Sequence, residues 1–125
     1  MKRTLLTCSS VLAVIALLGV LSVAVLAHNH LEKTMPTDGA SLTTAPDHVE
    51  LWFAEKPDLA VTKLDAMGPS GMVDLGPVHV IAKDSIGASF KAKLAGGKYV
   101  VNWQTAGDDG HVSKGDFSFS VTSAH

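Results

Sequence analysis

Beyond residue 28 the apolar side chains of this chain recur at every second position, a period that favours β-structure. Val49, Leu51 and Phe53 alternate with Glu50 and Trp52. Phe90, Ala92 and Leu94 alternate with Lys91 and Lys93, and Tyr99, Val101 and Trp103 share one face. Phe117, Phe119 and Val121 alternate with Ser118 and Ser120. Successive side chains of a strand point to opposite faces, so each run buries one row and solvates the other. Trp52, opposite the Val49 row, is expected to be partly exposed or covered by a loop. Turn-forming groups such as Thr37-Asp38-Gly39, Gly68-Pro69-Ser70-Gly71 and Asp108-Asp109-Gly110 separate the runs. No later segment carries helical periodicity or caps. About seven short strands predict an all-β fold, an Ig-like or cupredoxin-like Greek-key sandwich.

The first 27 residues stand apart. They hold 19 hydrophobic residues, against 39 in the remaining 98. Lys2 and Arg3 precede the uncharged run Val11–Ala27, which closes on Val25-Leu26-Ala27. That order of charge, apolar core and small residues reads as a secretory signal peptide over 1–27, cleaved after Ala27. The product would be a domain of residues 28–125 with His28 at its N-terminus. An uncleaved anchor is the alternative, since the run sits at the lower edge of what spans a bilayer.

Cys8 lies in this leader, and Thr7 with the short basic start does not make a lipoprotein signal. Residues 28–125 hold no cysteine, so disulfides, thiolate metal sites and cysteine nucleophiles are excluded there. They carry 8 Lys against 12 Asp and Glu, a balance that argues against nucleic-acid binding. No second apolar run of spanning length follows, so the cleaved form is not expected to be embedded in a membrane.

All six histidines follow the leader: His28, His30, His48, His79, His111 and His125. At a new N-terminus, His28 offers an amine and an imidazole that can close a chelate ring on one metal ion. His30 lies two positions on, on the same side of an extended segment. Asp109-Gly110-His111 sets a carboxylate and an imidazole two residues apart, which in an extended segment point the same way. Nitrogens plus a carboxylate in a tetragonal arrangement suit Cu(II), whereas Cu(I) prefers sulfur. Met35, Met67 and Met72 are scattered in the sequence. Each histidine motif also has an ordinary reading, as an accidental terminus or a simple turn. His48, His79 and His125 read as solvated or structural, and Glu55 as a turn charge. No Ser/His/Asp signature, phosphate loop or paired-carboxylate motif is evident.

Taken in order, these motifs resemble the CopC family of periplasmic copper-binding proteins. His28-Asn29-His30-Leu31 looks like the family's mature start, and Met35-Pro36-Thr37-Asp38-Gly39-Ala40 is similar to its Pro-x-Asp-Gly-Ala turn. Ala45-Pro46 followed by Val49-x-Leu51-x-Phe53-x-Glu55 looks like its second strand. Gly97-x-Tyr99-x-Val101-x-Trp103, Asp109-Gly110-His111 and Gly115-x-Phe117-x-Phe119-x-Val121 complete the series. The middle, about residues 58–95, matches in strand rhythm alone.

The resemblance implies a β-sandwich and one Cu(II) per mature chain, held by His28 through amine and imidazole together with Asp109 and His111. It also implies a periplasmic role in copper tolerance, or in supplying an inner-membrane importer of the CopD type. The chain departs from the family pattern at Gly107, often serine, and at Val112, often proline. It also lacks the methionine-rich loop of some members, so no Cu(I) methionine site is expected.

The chain then reads as a copper carrier and not an enzyme. A variant needs only the N-terminus, where amine, two backbone amides and the His30 imidazole would wrap Cu(II) and leave Asp109 and His111 as bystanders; alternatively, His30 is an additional ligand or a group orienting one. An N-terminal histidine chelate also serves copper oxygenases that cleave polysaccharides, but 98 residues leave little surface for such a substrate. The third class is an Ig-like interaction module on an uncleaved anchor.

Overall fold

A computed structural model of the protein describes residues 29–122. The leader with Cys8 and its cleavage point, His28 and His125 lie outside the described residues. Among the described residues nine strands form, where the sequence suggested about seven. They are β1 (Leu31–Met35), β2 (Ala40–Leu42), β3 (His48–Phe53), β4 (Lys63–Gly68), β5 (Gly71–Val73), β6 (His79–Ala82), β7 (Ser85–Ser89), β8 (Gly97–Ala106) and β9 (Val112–Val121). The extra strands are short pieces, which a two-residue alternation over three or four positions does not announce. A 3-10 turn, Leu59–Val61, is capped by the Asp58 side chain, which accepts from the Ala60 N–H.

Two sheets pack face to face as the all-β sandwich expected. One has the order β1-β3-β7-β6 and the other β2-β9-β8-β4-β5. Strands β8 and β9 form a ten-residue antiparallel hairpin whose register runs from Gly97 opposite Val121 to Ala106 opposite Val112. Residues 107–111 are therefore the connection at one end of the sandwich. The alternating rows identified above do fill the core. Val49, Leu51 and Phe53 of one sheet meet Tyr99, Val101, Trp103, Phe117 and Phe119 of the other. Phe53 and Trp103 meet edge to face at 5.3 Å, and Tyr99 stacks on Phe119 at 5.4 Å.

The Phe90–Leu94 alternation is not a strand. Phe90 makes one isolated bridge, to Leu75, and the chain then crosses the end of the sandwich with Leu94 plugged into the core. The strand lies just before it, at Ser85–Ser89. Its first four residues are all buried, because Glu50 and Ile81 cover its outer side. Ser85 Oγ donates to Glu50 Oε1 at 3.1 Å, and Ile81 folds over Gly87, which has no room for a side chain. Small residues buried on both faces leave no two-residue pattern. Trp52 is half-buried, with the Lys33 amine 4.5 Å above its ring. Met67 and Met72, scattered in sequence, are cross-strand partners on β4 and β5.

Candidate metal centre

The β8–β9 connection is a tight turn. Gly110 N–H donates to Gly107 O at 3.1 Å, and Gly110 sits at φ +76°, a left-handed conformation that a side chain would strain. The Asp109 carboxylate closes the turn. Its Oδ1 accepts from the His111 N–H at 3.0 Å, and its Oδ2 lies 3.1 Å from His111 Nδ1. Asp109 and His111 do converge, though by folding back on each other across a glycine and not by sharing one side of an extended strand. The His111 side chain is 69% exposed and that of Asp109 31%. When Nδ1–H donates to the carboxylate, the ring's orientation is fixed and Nε2 carries the lone pair that can bind a metal.

The start of the described chain is fastened beside this turn. Asn29 is 1% exposed, and its side-chain amide clasps the backbone of Glu55. Asn29 Nδ2 donates to Glu55 O at 3.1 Å, and Glu55 N–H donates to Asn29 Oδ1 at 2.8 Å. Ala54 N–H adds a bond to His30 O at 3.0 Å. Gly107 packs into the same corner. A Cβ built there would fall 2.5 Å from Glu55 Oε2 and 3.1 Å from Asn29 Cβ. The serine frequent at this position in the family would thus need the Glu55 carboxylate to move.

Glu55 is the residue that sequence reasoning undervalued. It is no simple turn charge, because its backbone holds Asn29 and its carboxylate abuts the turn bearing Asp109 and His111. The one available signal was its place at the end of the Val49–Phe53 alternation. His30 sends its ring toward Glu32, with 3.9 Å between Nε2 and Oε1 and its side chain 70% exposed. Among the described residues no three His, Cys, Asp or Glu side chains gather as a metal cage. Asp109 and His111 form a carboxylate–imidazole pair.

The remaining described histidines are elsewhere. His79 lies exposed on β6, with Nδ1 3.2 Å from Pro77 O. His48 begins β3, its Nδ1 2.6 Å from Asp47 Oδ1. That hydrogen bond, aided by the imidazole's charge, holds the Asp47 carboxyl below its ordinary range. No helix among the described residues is long and apolar enough to cross a membrane.

The CopC domain matches residues 31–122. Copper resistance protein C of Xanthomonas campestris pv. juglandis is 33% identical over 109 residues, which cover 80% of this chain and 84% of that protein. Copper resistance protein C of Escherichia coli is 30% identical over 105 residues, covering 77% and 82%. Among solved structures, CopC from Methylosinus trichosporium OB3b superposes with a TM-score of 0.68 at 24% identity, over 76% of this chain and 94% of that one. PcoC from Escherichia coli, a methionine-rich copper resistance protein, gives 0.70 at 22% identity over 77% and 100%. On the sandwich, the motif order and these matches, the chain belongs to the CopC family.

Proposed function

We propose that the protein is an exported, periplasmic Cu(II) carrier whose site is completed by cleavage after Ala27. The bound ion is cargo: one Cu(II) held by the His28 amine and imidazole, by His111 Nε2 and by the Asp109 carboxylate. The Asn29–Glu55 clasp carries this reading. Consecutive Cα atoms are 3.8 Å apart, so His28 is tethered one residue from an anchored neighbour that itself packs against Gly107. The donor chemistry fits as well. A carboxylate accepts at four lone-pair positions, so Asp109 can orient His111 and still offer oxygen to a metal. Imidazole nitrogens and one oxygen suit Cu(II), which outranks Zn(II) in the divalent affinity order.

The same tethering weighs against the variant in which residues 28–30 alone wrap the ion. That geometry must recruit the His30 ring and the amides beside the clasped Asn29 side chain. The carrier supplies an inner-membrane importer of the CopD type, or holds copper out of harm. Electron paramagnetic resonance on the copper-loaded exported protein tests the ligands. His111→Ala is expected to alter the nitrogen hyperfine pattern, while His30→Ala leaves it nearly unchanged. The reverse outcome would move the site to the first three residues.

A further inference from the structure

Beside the Asp109 turn the surface opens into a groove of about 580 Å³. Its walls are Lys56, Pro57, Asp58 and Leu59 on one side, Val80 on another, and Gly107, Asp108 and Gly110 of the turn itself. Leu59 is 44% exposed and Val80 46%, so two aliphatic side chains face water next to the proposed copper site. Asp58 N–H donates to Ala106 O at 3.0 Å, which ties this wall to the end of β8.

Val80 belongs to β6, the terminal strand of its sheet, whose four residues are all exposed. Edge strands are usually blunted against indiscriminate pairing. Here Pro77 precedes β6, Lys83 follows it, and its register with β7 shifts between Val80 and Ala82. What remains between those guards is a short apolar edge. Charge is uneven too. Asp58 and Asp108 line the groove against Lys56, and Glu55, Asp84 and Asp109 lie nearby against Lys83. Asp84 is placed by its carbonyl, which accepts from Phe53 N–H at 2.9 Å.

We propose that this groove receives an extended, basic segment of the protein to which the copper passes. The segment lies along β6 as an added strand, with an apolar side chain against Leu59 and Val80 and a lysine or arginine facing Asp58 and Asp108. Strand addition draws affinity from main-chain hydrogen bonds and selectivity from alternate side chains, and the opposite charge steers the encounter. A second copy of this chain is the poorer occupant, because its β6 (His79–Ala82) offers no lysine or arginine to face Asp58 and Asp108. The identity of the occupant rests on the carrier reading; the groove and its charge do not.

The test uses the copper-free exported protein and a capped peptide of alternating valine and lysine, with a valine–glutamate peptide as control. Amide resonances of Leu59, Val80, Ile81 and Asp108 should shift with the lysine peptide alone. Val80→Lys should weaken binding about tenfold, the equivalent of ~1.4 kcal/mol. Asp108→Asn, with Asp58→Asn (which keeps the 3-10 turn capped), should weaken it several-fold even if the Val80 variant folds poorly. Shifts confined to β1, β2 or β5, equal binding of the glutamate peptide, or self-association through β6 would overturn the proposal. Cu(II) titration of the same sample reads the carrier function separately. Peptide binding without any Cu(II) binding would remove the copper recipient as occupant.

Discussion

Asn29 and Glu55, 26 residues apart, hold each other through a reciprocal pair of hydrogen bonds: amide nitrogen to carbonyl at 3.1 Å and backbone N–H to amide oxygen at 2.8 Å. An asparagine suits this task because one side chain supplies both a donor and an acceptor. The clasp joins the end of β3 to the residues just before β1, where Gly107 closes on both partners. The approach to β1 is thereby built into the sandwich, close to the turn that displays Asp109 and His111.

Asn29→Ala should therefore act on stability and on copper together. The substitution leaves Glu55 N–H and Glu55 O without their partner, which costs about 1–3 kcal/mol for a buried group. Urea unfolding is expected to show that loss in the copper-free protein. Cu(II) affinity should fall as well, because His28 loses its anchored neighbour. Asn29→Asp keeps the acceptor to Glu55 N–H but sets a buried carboxylate oxygen against Glu55 O, and should be no milder in stability.

Gly107→Ala is expected to destabilise chiefly through the new Cβ against the Glu55 carboxylate, the nearer of its two close contacts. A double-mutant cycle with Glu55→Ala reads this directly, since neighbours that touch are non-additive by about 0.5–3 kcal/mol. The pair should be more stable than the sum of the single effects. Additive losses would mean that the glycine is needed for another reason.

Core and loop phenylalanines should separate by thermal unfolding. Phe53 is 1% exposed and packed on Trp103, so Phe53→Ala should cost about 3–5 kcal/mol. Phe90 is only partly buried at the sandwich end, 6.4 Å from Phe119, and Phe90→Ala should cost less.

These contrasts show what the sequence could and could not reveal. The rows Val49–Phe53, Tyr99–Trp103 and Phe117–Val121 each bury one face, and alternation exposes such strands plainly. Ser85–Ser89 was hidden because Glu50 and Ile81 cover its outer side, so nothing in its own residues alternates. Phe90–Leu94 misled because a loop can plug a sandwich end with Leu94 while its lysines reach water. At the metal end, Asp109 and His111 were legible as residue types in a turn triplet. Their convergence depends on a left-handed Gly110, and the Glu55 contribution depends on contacts across 26 and 52 positions. Local patterns carry no record of either.

Carboxyl titration by nuclear magnetic resonance should find Asp47 below the usual range, as its contact with His48 requires. A lowered folded value means its small contribution to stability is present above the unfolded pKa and fades as pH falls through the folded one. His48→Ala should return Asp47 to the ordinary range while leaving Cu(II) binding intact, since His48 begins β3 far from the Asp109 turn.

The central claim is that an uncapped His28 completes the copper site. Cu(II) titration of the exported protein, its intact mass confirming a start at His28, can be set beside a form carrying one additional residue before His28. The account predicts that this single peptide bond, by consuming the amine, weakens Cu(II) affinity by at least about tenfold, or ~1.4 kcal/mol. Equal affinities, or an exported protein that retains residues 1–27 and binds Cu(II) as tightly, would contradict it.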